Sequence, residues 1–170
     1  MKLEITVARL EDLPEIENLA RRIWPVCYKD IITPEQIEFM LKKMYAENVM
    51  REELLERGVR FDLLRADDVN IGYVSYSASE TDPKVLILHK IYILPGYQRR
   101  GLGSKLIDHV KKQAASFGCK RIILNVNKNN PALNAYLKNG FNIVESVCND
   151  IGDGFFMDDY ICETTIKLQL

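Results

Sequence analysis

The stretch Tyr97–Leu106, YQRRGLGSKL, sets two arginines before two glycines one residue apart, at the start of a strongly helical segment. Glycine lets a backbone approach an anion closely, and the first N–H groups of a helix have no intrahelical partner, so the stretch reads as an anion cradle. Arg99 and Arg100 add charge for a further phosphate. Two phosphate-binding patterns are excluded. A Walker A loop has a lysine and a hydroxyl residue after its second glycine, and Leu102 and Gly103 stand there instead. A dinucleotide turn needs a third glycine, where this chain has Leu106. Gln98-x-x-Gly101-x-Gly103 remains, and taken alone it equally suits a glycine turn into a helix with two solvated arginines.

Such a cradle needs a strand before it and a helix after it. Leu102, Leu106, Val110, Ala114 and Phe117 recur at helical spacing up to Gly118, and VLILHKIYIL before the loop reads as a strand closed by Pro95-Gly96. Upstream, EITVAR predicts a first strand, and Leu13, Ile16, Leu19, Ala20 and Ile23 one face of a first helix. Thr33 as cap, Pro34 at the first helical position and Gln36 as the return half of a capping box predict a second helix. Its stripe is Ile37, Met40, Leu41 and Met44. A charged helix ends at Gly58, and two apolar runs around Asp67–Asn70 predict a hairpin. Downstream, RIILNV reads as a buried central strand, NPALNAYLKNG as a short helix and FNIVES as a strand. The even spacing of Tyr160, Cys162, Ile166 and Leu168 predicts a last strand. Helices, antiparallel strands and one strand–helix–strand crossover make an α+β domain around one mixed sheet.

The 170 residues fit one domain, 47% apolar and 28% charged, as in ordinary globular chains. A net charge of -1 gives no attraction to nucleic acid, and no apolar run approaches a membrane span. The first residues lack the apolar core of a signal peptide, so a cytoplasmic location is the expectation. Cys27, Cys119, Cys148 and Cys162 are scattered and only His89 and His109 accompany them, so no metal site is expected.

From about Leu86 to Phe141 the chain resembles the GCN5-related N-acetyltransferases (GNAT). HKIYILPGYQRRGLG is similar to their central strand and acyl-CoA loop, and LNVNKNNPALNAYLKNGF to their next strand and Asn-x-x-Ala-x-x-x-Tyr-x-x-x-Gly-Phe segment. The resemblance implies a mostly antiparallel sheet splayed beside acetyl-CoA, with residues 1–84 as the acceptor-side half, 85–145 as the acetyl-CoA core and 146–170 as a C-terminal loop and strand. It implies that backbone groups of Ile91, Tyr92 and Ile93 hold the pantetheine arm and that Gln98, Arg99, Arg100, Gly101, Leu102, Gly103 and Ser104 form the pyrophosphate cradle. Asn129 would reach the pantetheine chain, Lys138 would lie beside the cofactor, and Tyr136 would protonate the departing thiolate. A phenol suits that role because it stays protonated at neutral pH. Many relatives place a base on the central strand, where this chain offers His89; Glu80 or loss of the proton to water are alternatives. A lone strand histidine also suits simple packing.

The tail NDIGDGFFMDDYICE is similar to a segment of the PaiA-type spermidine and spermine acetyltransferase branch. Asp150, Asp153, Asp158 and Asp159 put four carboxylates within it, attractive to a polycation if they line the acceptor mouth, or simply a solvated acidic loop. Asp150 and Asp153, with Trp24 and Tyr28 in the helical half, are the candidate acceptor contacts; Tyr45 is a further candidate pocket wall. The expected activity is acetyl transfer from acetyl-CoA to a primary amine of a small molecule such as a polyamine, directly in a ternary complex. A protein N-terminal or lysine acetyltransferase and a non-catalytic acyl-CoA sensor are the rivals, and a homodimer is an arrangement the resemblance allows.

Overall fold

The computed structural model describes residues 1–167. Strand β1 (Leu3–Val7) leads through a 3-10 turn into three helices, α1 (Leu13–Cys27), α2 (Pro34–Tyr45) and α3 (Glu47–Glu56). Then come β2 (Arg60–Ala66), β3 (Val69–Ala78) and β4 (Val85–Ile93), helix α4 (Leu102–Ser116), β5 (Arg121–Asn127), helix α5 (Ala132–Lys138), and the hairpin β6 (Asn142–Gly152) and β7 (Phe155–Thr165). Among the described residues they form one seven-stranded sheet in the order β1-β2-β3-β4-β5-β7-β6. Only β4 and β5 pair in parallel, as the crossover through α4 requires.

The helices form for the reasons their residues give. Leu13, Ile16, Leu19, Ala20 and Ile23 are all buried, and Trp24 extends the stripe. Each large apolar side chain so buried is worth about 1.5–3 kcal/mol. Thr33 Oγ1 accepts the Gln36 N–H at 3.1 Å, capping α2. The return half of the capping box does not form. The Gln36 side chain instead donates to the Phe156 carbonyl at 2.7 Å, tying α2 to the β6–β7 hairpin. In α4 the buried stripe is Leu102, Leu106, Val110 and Ala114. Phe117 falls outside it, 41% exposed, with Arg60 stacked on its ring.

The hairpin turn between β2 and β3 is shorter than expected. Asp67 and Asp68 alone make it, with φ of 47° and 69°, the left-handed pair a tight hairpin demands. The C-terminal segment differs more. Residues from Ser146 onward do not form a loop before a short last strand; they belong to a long two-stranded arm paired from Asn142 to Glu163. Leu168 of the expected last strand lies outside the described residues. The arm leans on α2, where the Phe155 and Phe39 rings sit 5.1 Å apart and Lys43 Nζ donates to the Ile151 carbonyl.

Candidate active site

The sheet opens between β4 and β5. Their pairing runs from Val85–Arg121 to Leu88–Leu124 and stops. Beyond it β4 is held only by β3, and β5 only by β7, up to the Asn127–Asp159 rung. A wedge-shaped gap follows, edged by strand groups without a strand partner. The Leu94 N–H donates to the Ile71 carbonyl on β3 at 2.8 Å. Strand alternation gives Tyr92 the same direction and turns the N–H and C=O of Ile91 and Ile93 into the gap. The Gln98 amide donates to the Ile93 carbonyl at 2.9 Å from that side. Thus Ile91 and Ile93 present backbone groups there, whereas Tyr92 contributes its side chain.

At the C-terminal mouth of the gap, the chain turns through Pro95–Tyr97 into α4. Arg99 and Gly101 both take positive φ, 63° and 74°. No side chain caps α4, and its first internal bond to the loop is the Lys105 N–H to the Gly101 carbonyl at 3.2 Å. None of the N–H groups from Arg99 to Ser104 finds an acceptor among the described residues. A Cβ on Gly103 would project into open space. A row of free donors at a helix start, with no acidic residue in the first helical turn, fits a pyrophosphate. Arg99, Lys105 and Lys138 are exposed around it, Arg100 stacks on Tyr97 at 5.4 Å, and the Ser104 hydroxyl accepts from Asn139 of the α5 end. Leu102 points inward as a buried anchor of α4. The residues therefore fit a coenzyme A phosphate chain.

Inside the gap stand aromatic residues from three elements. Tyr92 of β4 shares a hydrogen bond with Tyr28 at the end of α1, the hydroxyls 2.9 Å apart. Trp24 packs behind both, its ring 4.7 Å from Tyr28 and 5.4 Å from Tyr92, and donates its N–H to Tyr45. Trp24 is 1% exposed, packed behind the two tyrosines. Tyr136 of α5 is buried beside Phe141, and no protein partner to its hydroxyl is found among the described residues. Burial, with Tyr28 and Cys27 nearby, holds the Tyr136 phenol far above its ordinary range, so it is protonated at any working pH. Burial likewise raises the Cys27 thiol.

His89 is the first β4 residue past the last β4–β5 rung, at an irregularity of the β3–β4 register. His89 is exposed, and its Nε2 shares a 2.7 Å hydrogen bond with the Ser77 hydroxyl. Desolvation by the surrounding residues is the larger cause, and the Lys90 charge the smaller, that push His89 down to about 4. Lys90 itself is buried between the Tyr45 and Phe61 rings, 3.7 Å from Glu53. Burial lowers the Lys90 ammonium and Glu53 opposes that shift. Glu80 sits in an exposed bend after β3. Asn129 is exposed after β5, its N–H donated to Asn127 Oδ1.

The acidic residues of the tail separate. Asp150 Oδ1 accepts the N–H of Gly152, and Asp153 makes the hairpin tip with a φ of 52°. Asp158 pairs with Lys128 at 2.8 Å. Asp159 is buried on the last rung, opposite Asn127. Sequence spacing grouped these four as one run. The strand alternation within FFMDDYICE is the signal that would have set Asp159 apart, along with Lys90, whose charge the apolar strand pattern hid.

The sequence profile of the acetyltransferase (GNAT) family matches residues 13–141. The chain is 25% identical over 155 residues to the spermidine N(1)-acetyltransferase of Thermoplasma acidophilum, covering 88% of this chain and 94% of that protein. It is 30% identical over 135 residues to an uncharacterized N-acetyltransferase of Mycobacterium tuberculosis, covering 79% and 85%. The crystal structure of the PaiA N-acetyltransferase of T. acidophilum with coenzyme A superposes with a TM-score of 0.81 at 24% identity, over 97% of this chain and 99% of that one.

Proposed function

Since the chain belongs to the GNAT family of N-acetyltransferases, with acetyl-CoA as its cofactor, we propose that it acetylates a primary amine of a polyamine by direct transfer. The observation that carries the reading is the β4–β5 gap with phosphate donors at its mouth and an unpartnered tyrosine within. The similarity to a spermidine acetyltransferase supports the choice of acceptor.

Acetyl-CoA brings the activated acyl group, and the chain's own residues do the rest. Arg99 to Ser104 anchor the phosphates, and Ile91 and Ile93 offer backbone groups along the gap, where oriented donors favour a developing oxyanion. Asn129 and Lys138 flank the bound chain. Tyr136 gives its proton to the leaving sulfur, and the absence of a competing protein acceptor leaves its hydroxyl free to do so. His89, neutral above its depressed pKa of about 4, is open to the second proton, the one the nitrogen sheds once it has bonded the acyl carbon. Trp24 and Tyr28 shape the acceptor wall, while Asp150 and Asp153 lend negative potential at the arm's tip. Direct transfer is supported by Cys27, the thiol beside Tyr136: burial keeps it protonated at neutral pH and hence a poor acyl carrier.

Thiol release across a panel of spermidine, spermine, amino acids and peptides tests this. Spermidine is expected to give the highest kcat/KM. Preference for a peptide would move the activity to protein acetylation, and acetyl-CoA binding without thiol release from any amine would make the protein a sensor.

A further inference from the structure

Strand β7 is regular against β6 from Phe156 to Ile161 and against β5 from Asp159 to Thr165. Its side chains therefore alternate strictly. Phe155 stacks on Phe39 of α2, and Met157 Sδ lies 3.8 Å from the Gln36 amide of the same helix. Asp159 is next on that face, so its carboxylate points to the side of α1 and α2. The opposite face belongs to α5, where Thr164 donates to the Gly140 carbonyl. Asp159 is 5% exposed, and Oδ1 is sealed from solvent with no hydrogen-bond donor. It lies at the open end of the gap, on the last β5–β7 rung, and its charge is felt at Tyr28.

The Asn125 side chain offers the carboxylate one hydrogen bond, but the sealed Oδ1 has no donor, and a buried anionic oxygen so left is costly unless a cation completes it. Lys128, the nearby base, is committed to Asp158 on the other face. We propose that Asp159 receives the acceptor amine: it binds the primary ammonium in the gap, orients it, and takes one proton. In that step an N–H bond breaks and an O–H bond forms on Asp159. The ammonium becomes a neutral amine with a free lone pair, and the carboxylate a carboxylic acid that later loses its proton to solvent. Burial raises the Asp159 carboxyl, Asn125 and Lys128 oppose the shift and Asp158 adds to it, so the group holds a proton more readily than an ordinary aspartate. The inference rests on the polyamine reading above.

The test uses the full chain. Asp159→Asn should keep acetyl-CoA affinity by calorimetry within about twofold, because the residue lies away from the phosphate loop. Its spermidine KM should rise about tenfold or more and its kcat fall, with Asp159→Glu partly restoring both. Wild-type KM and kcat in Asp159→Asn would overturn the role. A second measurement keeps the wild-type chain. With aspartate labelled at Cγ, spermidine added beside coenzyme A should shift the NMR signal that is missing from the spectrum of Asp159→Asn, and an unmoved signal overturns the proposal. A wild-type enzyme inactive on polyamines but active on another cationic amine would sink the acceptor assignment alone. Asp159 is then judged with that amine by the same two readouts.

Discussion

Tyr136 and His89 carry opposite burdens from burial. Tyr136 is legible in the sequence because its segment repeats a family pattern, yet only the fold shows that its hydroxyl lacks a protein partner. Removing that hydroxyl orphans nothing, so Tyr136→Phe should change stability by less than about 0.5 kcal/mol. Loss of a general acid should lower kcat on the order of 100-fold with acetyl-CoA affinity unchanged. Steady-state kinetics beside calorimetry check the pair, and unaltered kcat removes Tyr136 as the acid. His89 makes a prediction in pH. Its folded pKa of about 4 lies below the ordinary 6.5, so the unfolded chain binds the extra proton between those values. The contribution of His89 to stability is full above about pH 6.5 and is lost as pH falls towards 4. Because the ring is partly exposed, the slope will be shallow. Denaturant midpoints of His89→Gln should fall less than those of wild type over that window; parallel curves would show that the enclosure of the ring does not act on its charge.

At the scale of elements, the strongest signals were those with a local cause. Thr33 caps α2, the apolar stripes bury α1 and α4, and Gly101 makes the left-handed turn into α4, all readable from spacing. What was not readable depended on partners far away in sequence. Gln36 left its own helix start for the Phe156 carbonyl, and Asp150, Asp158 and Asp159 became strand because β6 and β7 pair with each other. Two glycines show the same divide. A Cβ on Gly103 meets nothing, so Gly103→Val should fold with an unchanged or slightly raised Tm while its side chain fills the phosphate cradle. Acetyl-CoA affinity should fall at least tenfold by calorimetry, and undiminished affinity would place the cofactor elsewhere. A Cβ on Gly72 would stand 2.6 Å from the Tyr92 carbonyl. Gly72→Ala must push β3 from β4 beneath the gap, at a cost of about 1–3 kcal/mol, read as a lower urea midpoint.

The whole molecule is built so that neither half stands without the other. The helices proposed to wall the acceptor side belong to the first part of the chain, yet β3 pairs with β4 along its length and the C-terminal arm returns to α2 through Gln36 and Lys43. The proposed acceptor wall and the proposed cofactor edge are therefore two faces of one packed body. Among the described residues no helix is long and apolar enough to cross a membrane. This continuity predicts one cooperative thermal transition. It also predicts that a ligand held at the β4–α4 turn stabilises the acceptor side equally, since a ligand binding only the folded chain shifts the entire equilibrium. At one hundred times its dissociation constant acetyl-CoA should add about 2.7 kcal/mol. For a chain of this size that is roughly 5–10 °C in Tm. Calorimetry should show the single peak move as a unit. Were the sheet to melt in two steps, with only the later one moved by acetyl-CoA, the β3–β4 seam would be a boundary between independent folding units. The coupling of acceptor wall to cofactor edge would then fail.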